Sequence, residues 1–169
     1  MYLTELHSPI GLLTLASNGT ALTGLWLKGQ KYFPSPLIGE NLSDLPVFQQ
    51  ASDWLTAYFS NAPLPPLPTL EPQGSPFRQA VWQQLREIPY GQTTTYGSLA
   101  RKLREQGIPA AAQAVGGAVG HNPISILIPC HRVLGHNGSL TGYAGGIAVK
   151  QYLLELEGVR LVNITCPIK

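Results

Sequence analysis

The chain has 169 residues, enough to bury a full core without disulfide or metal staples, and its length fits one domain or two small ones packed together. Charged residues are only 12% and the formal net charge is +2, so no polybasic tail announces nucleic acid; such a contact would rest on a local patch and on backbone donors. The two cysteines, Cys130 and Cys166, exclude a disulfide scaffold and a four-thiolate zinc site.

The N-terminus has no basic region followed by an apolar core, and no stretch approaches the length of a membrane span, so a cytoplasmic protein with no membrane partner is expected. From Gly11 to Leu27 two strand-like runs flank Asn18-Gly19, a pair that accepts the positive φ angles of a tight hairpin. Val47, Ala51, Trp54 and Tyr58 then recur on one face of a helix that would cover the resulting small antiparallel sheet. His7 reads as an isolated polar residue near a turn. The four histidines, His7, His121, His131 and His136, are too scattered for a metal site. The segment Asn61 to Pro76 is too proline-rich for helix or central strand and marks the boundary between a first domain, 1–74, and a second, 75–169.

The second half is more patterned. Ser75 as N-cap and Pro76 at the first helical position start a helix whose apolar face is Phe77, Val81, Leu85 and Ile88, stopped at Pro89. A second helix follows from about Thr95, and after a sharp connection at Gly107 to Pro109 a third runs from Ala110 to Gly120, which makes a helix-turn-helix shape. The third is almost without bulk: Ala110, Ala111, Ala112, Ala114, Gly116, Gly117, Ala118 and Gly120. Close packing on another helix explains that, and so does close approach to the floor of a DNA minor groove. Ile124 to Ile128 reads as a buried strand ended by Pro129 and delivering Cys130 at its rim. Gly135 to Gly146 is a loop with five glycines that suits a flat ligand, and the last helix ends at Gly158 with Glu157 set against the helix dipole.

Cys130 stands between Pro129 and His131. Most free cysteines are small buried apolar fillers, but a catalytic thiol needs a base and a group to orient that base, for which His131 and Glu157 are the candidates. Adjacent residues of an extended segment point apart, so a water is expected to bridge Cys130 and His131. On chemistry alone a Cys-His pair with a distant Glu also fits a cysteine hydrolase.

The stretches Ala114–Val133, Ile128–Gly146 and Ser75–Gly97, with the closing Leu154–Gly158, resemble the O6-alkylguanine-DNA alkyltransferases. The likeness is strong from about Ser75 to Gly158 and weak before it. It implies an α+β fold, with the small sheet and covering helix followed by a mostly helical, winged helix-turn-helix domain. It also implies direct DNA repair without cofactor or metal, by a protein monomeric in the absence of DNA: an alkyl group on guanine O6 in double-stranded DNA passes irreversibly to Cys130, one lesion per molecule. By the same resemblance His131 is the water-mediated base and Glu157 its partner, Asn122 supports the active-site loop, and Tyr96 donates a proton to the departing guanine. The carbonyls of Cys130 and Val133 and the Ala144 amide would contact the base, with Tyr143, Gly145, Gly146 and Val119 shaping the pocket. Thr95, Ala112, Gln113, Ala114, Gly116 and Gly117 would face DNA. Gln113 stands where relatives often carry an arginine that fills the gap left by the flipped base, and the connection before the third helix is longer than in the commonest pattern. Relatives that bind lesions without transfer replace the acceptor cysteine, which is kept here.

Overall fold

The computed structural model describes residues 1–161; Cys166 lies outside them. They form two compact units, Met1–Gln73 with Pro123–Leu127, and Gly74–Asn122 with the chain from Ile128 onward. Among the described residues no helix is long and apolar enough to cross a membrane.

The first unit holds β1 (Tyr2–Ser8), β2 (Gly11–Ser17), β3 (Leu22–Leu27), a two-residue β4 (Glu40–Asn41) and the helix α1 (Pro46–Phe59). Asn18 closes the β2–β3 hairpin with its own side chain, whose oxygen accepts from the amides of Thr20 at 3.0 Å and Ala21 at 2.9 Å. The sheet order is β3-β2-β1-β4, antiparallel across the first three strands, with β4 added in parallel to β1. The expected face of α1, Val47, Ala51, Trp54 and Tyr58, is buried, and the helix packs on β1, β2 and β3. His7 lies in β1 opposite Leu12, beside the turn.

The strand expected over Ile124 to Ile128 does not form. Only Ile124 pairs, in a single parallel bridge to Leu25, with the Leu25 amide donating to the Pro123 carbonyl and the Ser125 amide to the Leu25 carbonyl. Pro123 and Pro129 lack the amides a ladder needs, and Ile126 at φ +72° turns the chain between them.

The second unit is built from α2 (Pro76–Arg86), α3 (Tyr96–Glu105), α4 (Ala112–Gly120) and α5 (Ile147–Leu156), with a two-residue parallel pair of β5 (Thr94–Thr95) and β6 (Val133–Leu134). Ser75 caps α2 by accepting from the Arg78 amide, and Thr95 caps α3 by accepting from the Ser98 amide. Trp82 of α2 donates its indole N–H to the Ala118 carbonyl of α4 at 2.8 Å, and Val81, Leu85, Leu99, Leu103, Val115 and Val119 are buried. Helix α4 starts two residues later than the sequence suggests, because Ala111 has no side chain to cap it and Arg104 holds the Ala110 carbonyl in the connection at 2.7 Å. Gln113 is therefore the second residue of α4, not the fourth of a longer helix.

Candidate active site

Cys130 opens a single 3-10 turn, Cys130–Arg132, rather than ending a strand. The reason is local: Pro129 takes φ −81° and ψ 65°, which bends the chain so that the Cys130 amide donates back to the Ile128 carbonyl at 2.8 Å. Asn122, just past α4, donates its side-chain amide to that same Ile128 carbonyl at 2.8 Å and thereby fixes the approach to the turn. The thiol is buried, and burial pushes its pKa up; the Asn122 side chain, the Lys150 charge and the amides of Cys130 and His131 pull the other way without overcoming it. At rest Cys130 is a thiol, and a proton has to leave before it can act as a nucleophile.

His131 is fully buried on the same turn. Its Nε2 lies 2.5 Å from Glu157 Oε2, while Glu157 Oε1 accepts from Arg132 Nε at 2.8 Å and from the Gly91 amide at 3.0 Å. The carboxylate that stands against the α5 dipole is thus no solvated helix end; it is the hub of a buried network. Burial holds the imidazole below its usual pKa, with Glu157 opposing that and Arg132 and Lys150 adding to it, so His131 is neutral at pH 7 and has a nitrogen able to take a proton.

Lys150, like Arg132, has a role that the sequence does not announce. Its ammonium is buried, donates to the carbonyls of Val133 at 2.5 Å and Thr141 at 2.8 Å, and lies 5.9 Å from the centre of the Tyr96 ring. Burial lowers its pKa to about 8, opposed by the nearby Cys130. A signal existed: Lys150 in α5 and Glu157 at its C-cap stand seven residues apart, in line with the buried Leu153 and Leu154, and a charge in an apolar stripe asks for a buried partner. Tyr96, the first residue of α3, points its hydroxyl at the carbonyls of Thr141 and Gly142, each 3.2 Å away. Burial, helped by the charge of Cys130, pushes the phenol up to about 12, so it keeps its proton as a donor at any ordinary pH.

The glycine-rich loop closes this cluster. Tyr143, Ala144 and Gly145 are partly buried, and Gly146 is exposed at φ +95°, where it starts α5. Val133 is buried in β6 and its carbonyl already serves Lys150; a carbonyl has a second lone pair for another donor. Val119 is buried on the inner side of α4.

The outer side of α4 is a separate surface. Ala112, Gln113, Ala114 and Gly117 are exposed, while Gly116 is half-buried and turned to Tyr96. A Cβ built on Gly117 meets nothing within 4 Å, and one on Gly116 comes no nearer than 3.8 Å to the Tyr96 ring, so packing inside the protein does not require either glycine. Arg101, Lys102 and Arg104 are exposed on α3.

Comparison with known proteins places both halves. Residues 76–159 match the family described as 6-O-methylguanine DNA methyltransferase, DNA binding domain, and residues 1–66 match 6-O-methylguanine DNA methyltransferase, ribonuclease-like domain. A methylated-DNA--protein-cysteine methyltransferase of Haemophilus influenzae is 42% identical over 96% of this chain and 89% of its own. One of Mycobacterium tuberculosis is 48% identical over 92% and 91%. A crystal structure of Mycobacterium tuberculosis OGT in complex with DNA superposes with a TM-score of 0.83 at 45% identity, covering 93% of this chain and 92% of the other.

Proposed function

The chain belongs to the 6-O-methylguanine DNA methyltransferase family, and from that premise we propose how its own residues carry out direct repair, with Cys130 as the acceptor of an alkyl group from guanine O6 in DNA. The observation that carries the assignment is the buried turn on which Cys130 and His131 are neighbours and His131 is tied to Glu157.

The thiol proton leaves through a water to His131, whose imidazolium is stabilised by the Glu157 carboxylate. The sulfur attacks the alkyl carbon in line; the S–C bond forms, the C–O6 bond breaks and its electron pair stays on guanine. Tyr96 releases the carbonyls of Thr141 and Gly142 and gives its proton to the departing base, and once His131 and Tyr96 re-equilibrate one proton has moved from thiol to guanine. The thioether has no exit, so each molecule acts once. Asn122 holds the turn, the carbonyls of Cys130 and Val133 and the Ala144 amide take the guanine edge, and Tyr143, Gly145, Gly146 and Val119 bound the pocket.

A thiol this buried cannot reach a base stacked in a duplex, so the lesion is flipped out. The outer side of α4 enters the minor groove, with Gln113 as its one long side chain, Ala112, Ala114, Gly116 and Gly117 allowing close approach, and Thr95 near the strand. A reactive free thiol suits a reducing compartment, the cytoplasm, and the mechanism calls on no second copy of the chain, in keeping with a monomer in the absence of DNA. Incubating limiting protein with duplex carrying label on an O6-methylguanine tests the reading: one equivalent moves to protein. None would mean a lesion binder, and many released products a hydrolase.

The α4 surface makes its own prediction. Gly117→Ala fills open space and removes the helix cost of glycine, about 1 kcal/mol, so the unfolding free energy rises while duplex affinity falls. Denaturant unfolding and duplex titration measure the two; a stabilised variant with unchanged affinity removes this side of α4 from the groove.

A further inference from the structure

We infer that Arg132 is a positioning residue of the relay: it clamps Glu157 Oε1 so that Oε2 alone faces His131, and it supplies the fixed positive charge that leaves His131 free to take the Cys130 proton. The inference rests on the functional reading given above and adds to it a residue without contact to the reacting atoms.

Arg132 is buried and held from three sides. Its Nε donates to Glu157 Oε1 at 2.8 Å, its Nη1 donates to the Ile88 carbonyl at 2.7 Å, and its guanidinium carbon lies 5.7 Å from the centre of the Tyr90 ring. The α2–α3 connection completes the clamp. Gly91 stands at φ +75°, and its amide reaches the same Oε1 at 3.0 Å; a Cβ there would meet the Glu157 carbonyl oxygen at 3.1 Å. Ile88, Tyr90 and Gly91 therefore brace a site that lies far from them in sequence.

The charge matters as much as the geometry. A buried carboxylate facing only an imidazole tends to draw a proton into the pair, on either partner, because burial disfavours the bare anion. Guanidinium does not give up its proton, so Arg132 keeps the carboxylate compensated without lending it one. The titratable and charged groups around His131 include Cys130 and Arg132 on its own turn, Lys150 from α5 and Glu157 at the α5 C-cap; Tyr90, from the α2–α3 connection, faces Arg132 and Glu157. Of these, Arg132 and Lys150 hold proton affinity at His131 down and Glu157 raises it. Removing Arg132 leaves the Glu157 anion uncompensated beside the ring, so the pair binds a proton at higher pH and the base is already occupied when the thiol needs it.

The test is the pH dependence of single-turnover methyl transfer from duplex containing O6-methylguanine, in wild type and in Arg132→Met, Arg132→Gln and Arg132→Lys. The neutral variants move the acid limb of the rate to higher pH and lose roughly tenfold at neutral pH, a part of the 10²–10⁴ that a positioned base contributes, and they recover as pH rises. Arg132→Lys keeps the wild-type limb. If Arg132→Met does not fold, Arg132→Gln, which keeps a donor for the Ile88 carbonyl, carries the comparison. Equal losses at every pH in all three variants, or limbs that stay put in the neutral ones, overturn the inference. NMR titration of the His131 ring in the unreacted proteins reads the same displacement without any transfer. A wild type that transfers no methyl group therefore defeats the reading of function, while the spectra still decide the role of Arg132.

Discussion

Cys130→Ser abolishes methyl transfer and leaves duplex binding unchanged within a factor of about two, since phosphate contacts position the DNA and the thiol makes none of them. The loss is total because serine fails on both counts that the site sets. A hydroxyl in the same buried turn is a far weaker acid than the thiol, whose pKa burial has already raised, and His131, held below its usual pKa, is too weak a base to ionise it. Sulfur is also the better nucleophile toward an alkyl carbon. The measurement is intact mass after reaction with excess methylated duplex, followed by peptide mapping. Wild type gains one methyl group on Cys130 and the variant gains none. A methyl group found on Cys166 instead would move the acceptor out of the turn and undo the mechanism.

What was legible in the sequence was local. Asn18-Gly19 announced a hairpin because its turn bonds are made by its own side chain and backbone, and Ser75-Pro76 announced a helix start because the cap lies three residues away. The α1 face could be read because one periodic stripe meets one sheet. The misses involve pairing partners or backbone turns that leave no periodic pattern in the residues themselves. β1 shows no clean alternation, since both its faces are partly exposed, and it is a strand because β2 pairs along its whole length. Ile124 to Ile128 is apolar enough for a strand, but its neighbour is a single residue of β3 and its own backbone turns at Ile126. The parallel pair β5–β6, which sets the start of α3 beside Val133, is two residues long and has no pattern to read. In the site, Cys130, His131 and Glu157 were named from chemistry and family likeness, and the structure brings them together. Arg132 and Lys150 were passed over because their roles come from carbonyls and a carboxylate supplied by Ile88, Val133, Thr141 and Glu157.

Glu157→Gln slows transfer at neutral pH by about 10²-fold or more, through the tautomer of His131 as much as through charge. In wild type, Glu157 Oε2 can only accept, so Nε2 of His131 carries the hydrogen and Nδ1 is the ring's acceptor. In the variant, Arg132 Nε and the Gly91 amide both donate to the position of Oε1, which selects the carboxamide oxygen for that side and turns the NH2 group toward His131. Nε2 then has to accept, the ring hydrogen moves to Nδ1, and the nitrogen that served as base is blocked. The substitution also removes the group that raises the proton affinity of His131, so an imidazolium is harder to form by either route. That displacement is opposite in sign to the one expected from losing Arg132, and the two variants separate the carboxylate's pull from the guanidinium's opposition. With the base gone, the remaining route is direct ionisation of the thiol, which burial has pushed up, so the variant's rate climbs with pH across the alkaline range where the wild-type rate has levelled. The change leaves the buried Arg132 guanidinium without its anion, a loss of about 3 kcal/mol in stability, so single-turnover rates are compared at a temperature where unfolding curves show both proteins folded. A Glu157→Gln protein whose profile levels off where wild type does, at any height, would take the carboxylate out of the proton path and leave it a structural partner of Arg132 alone.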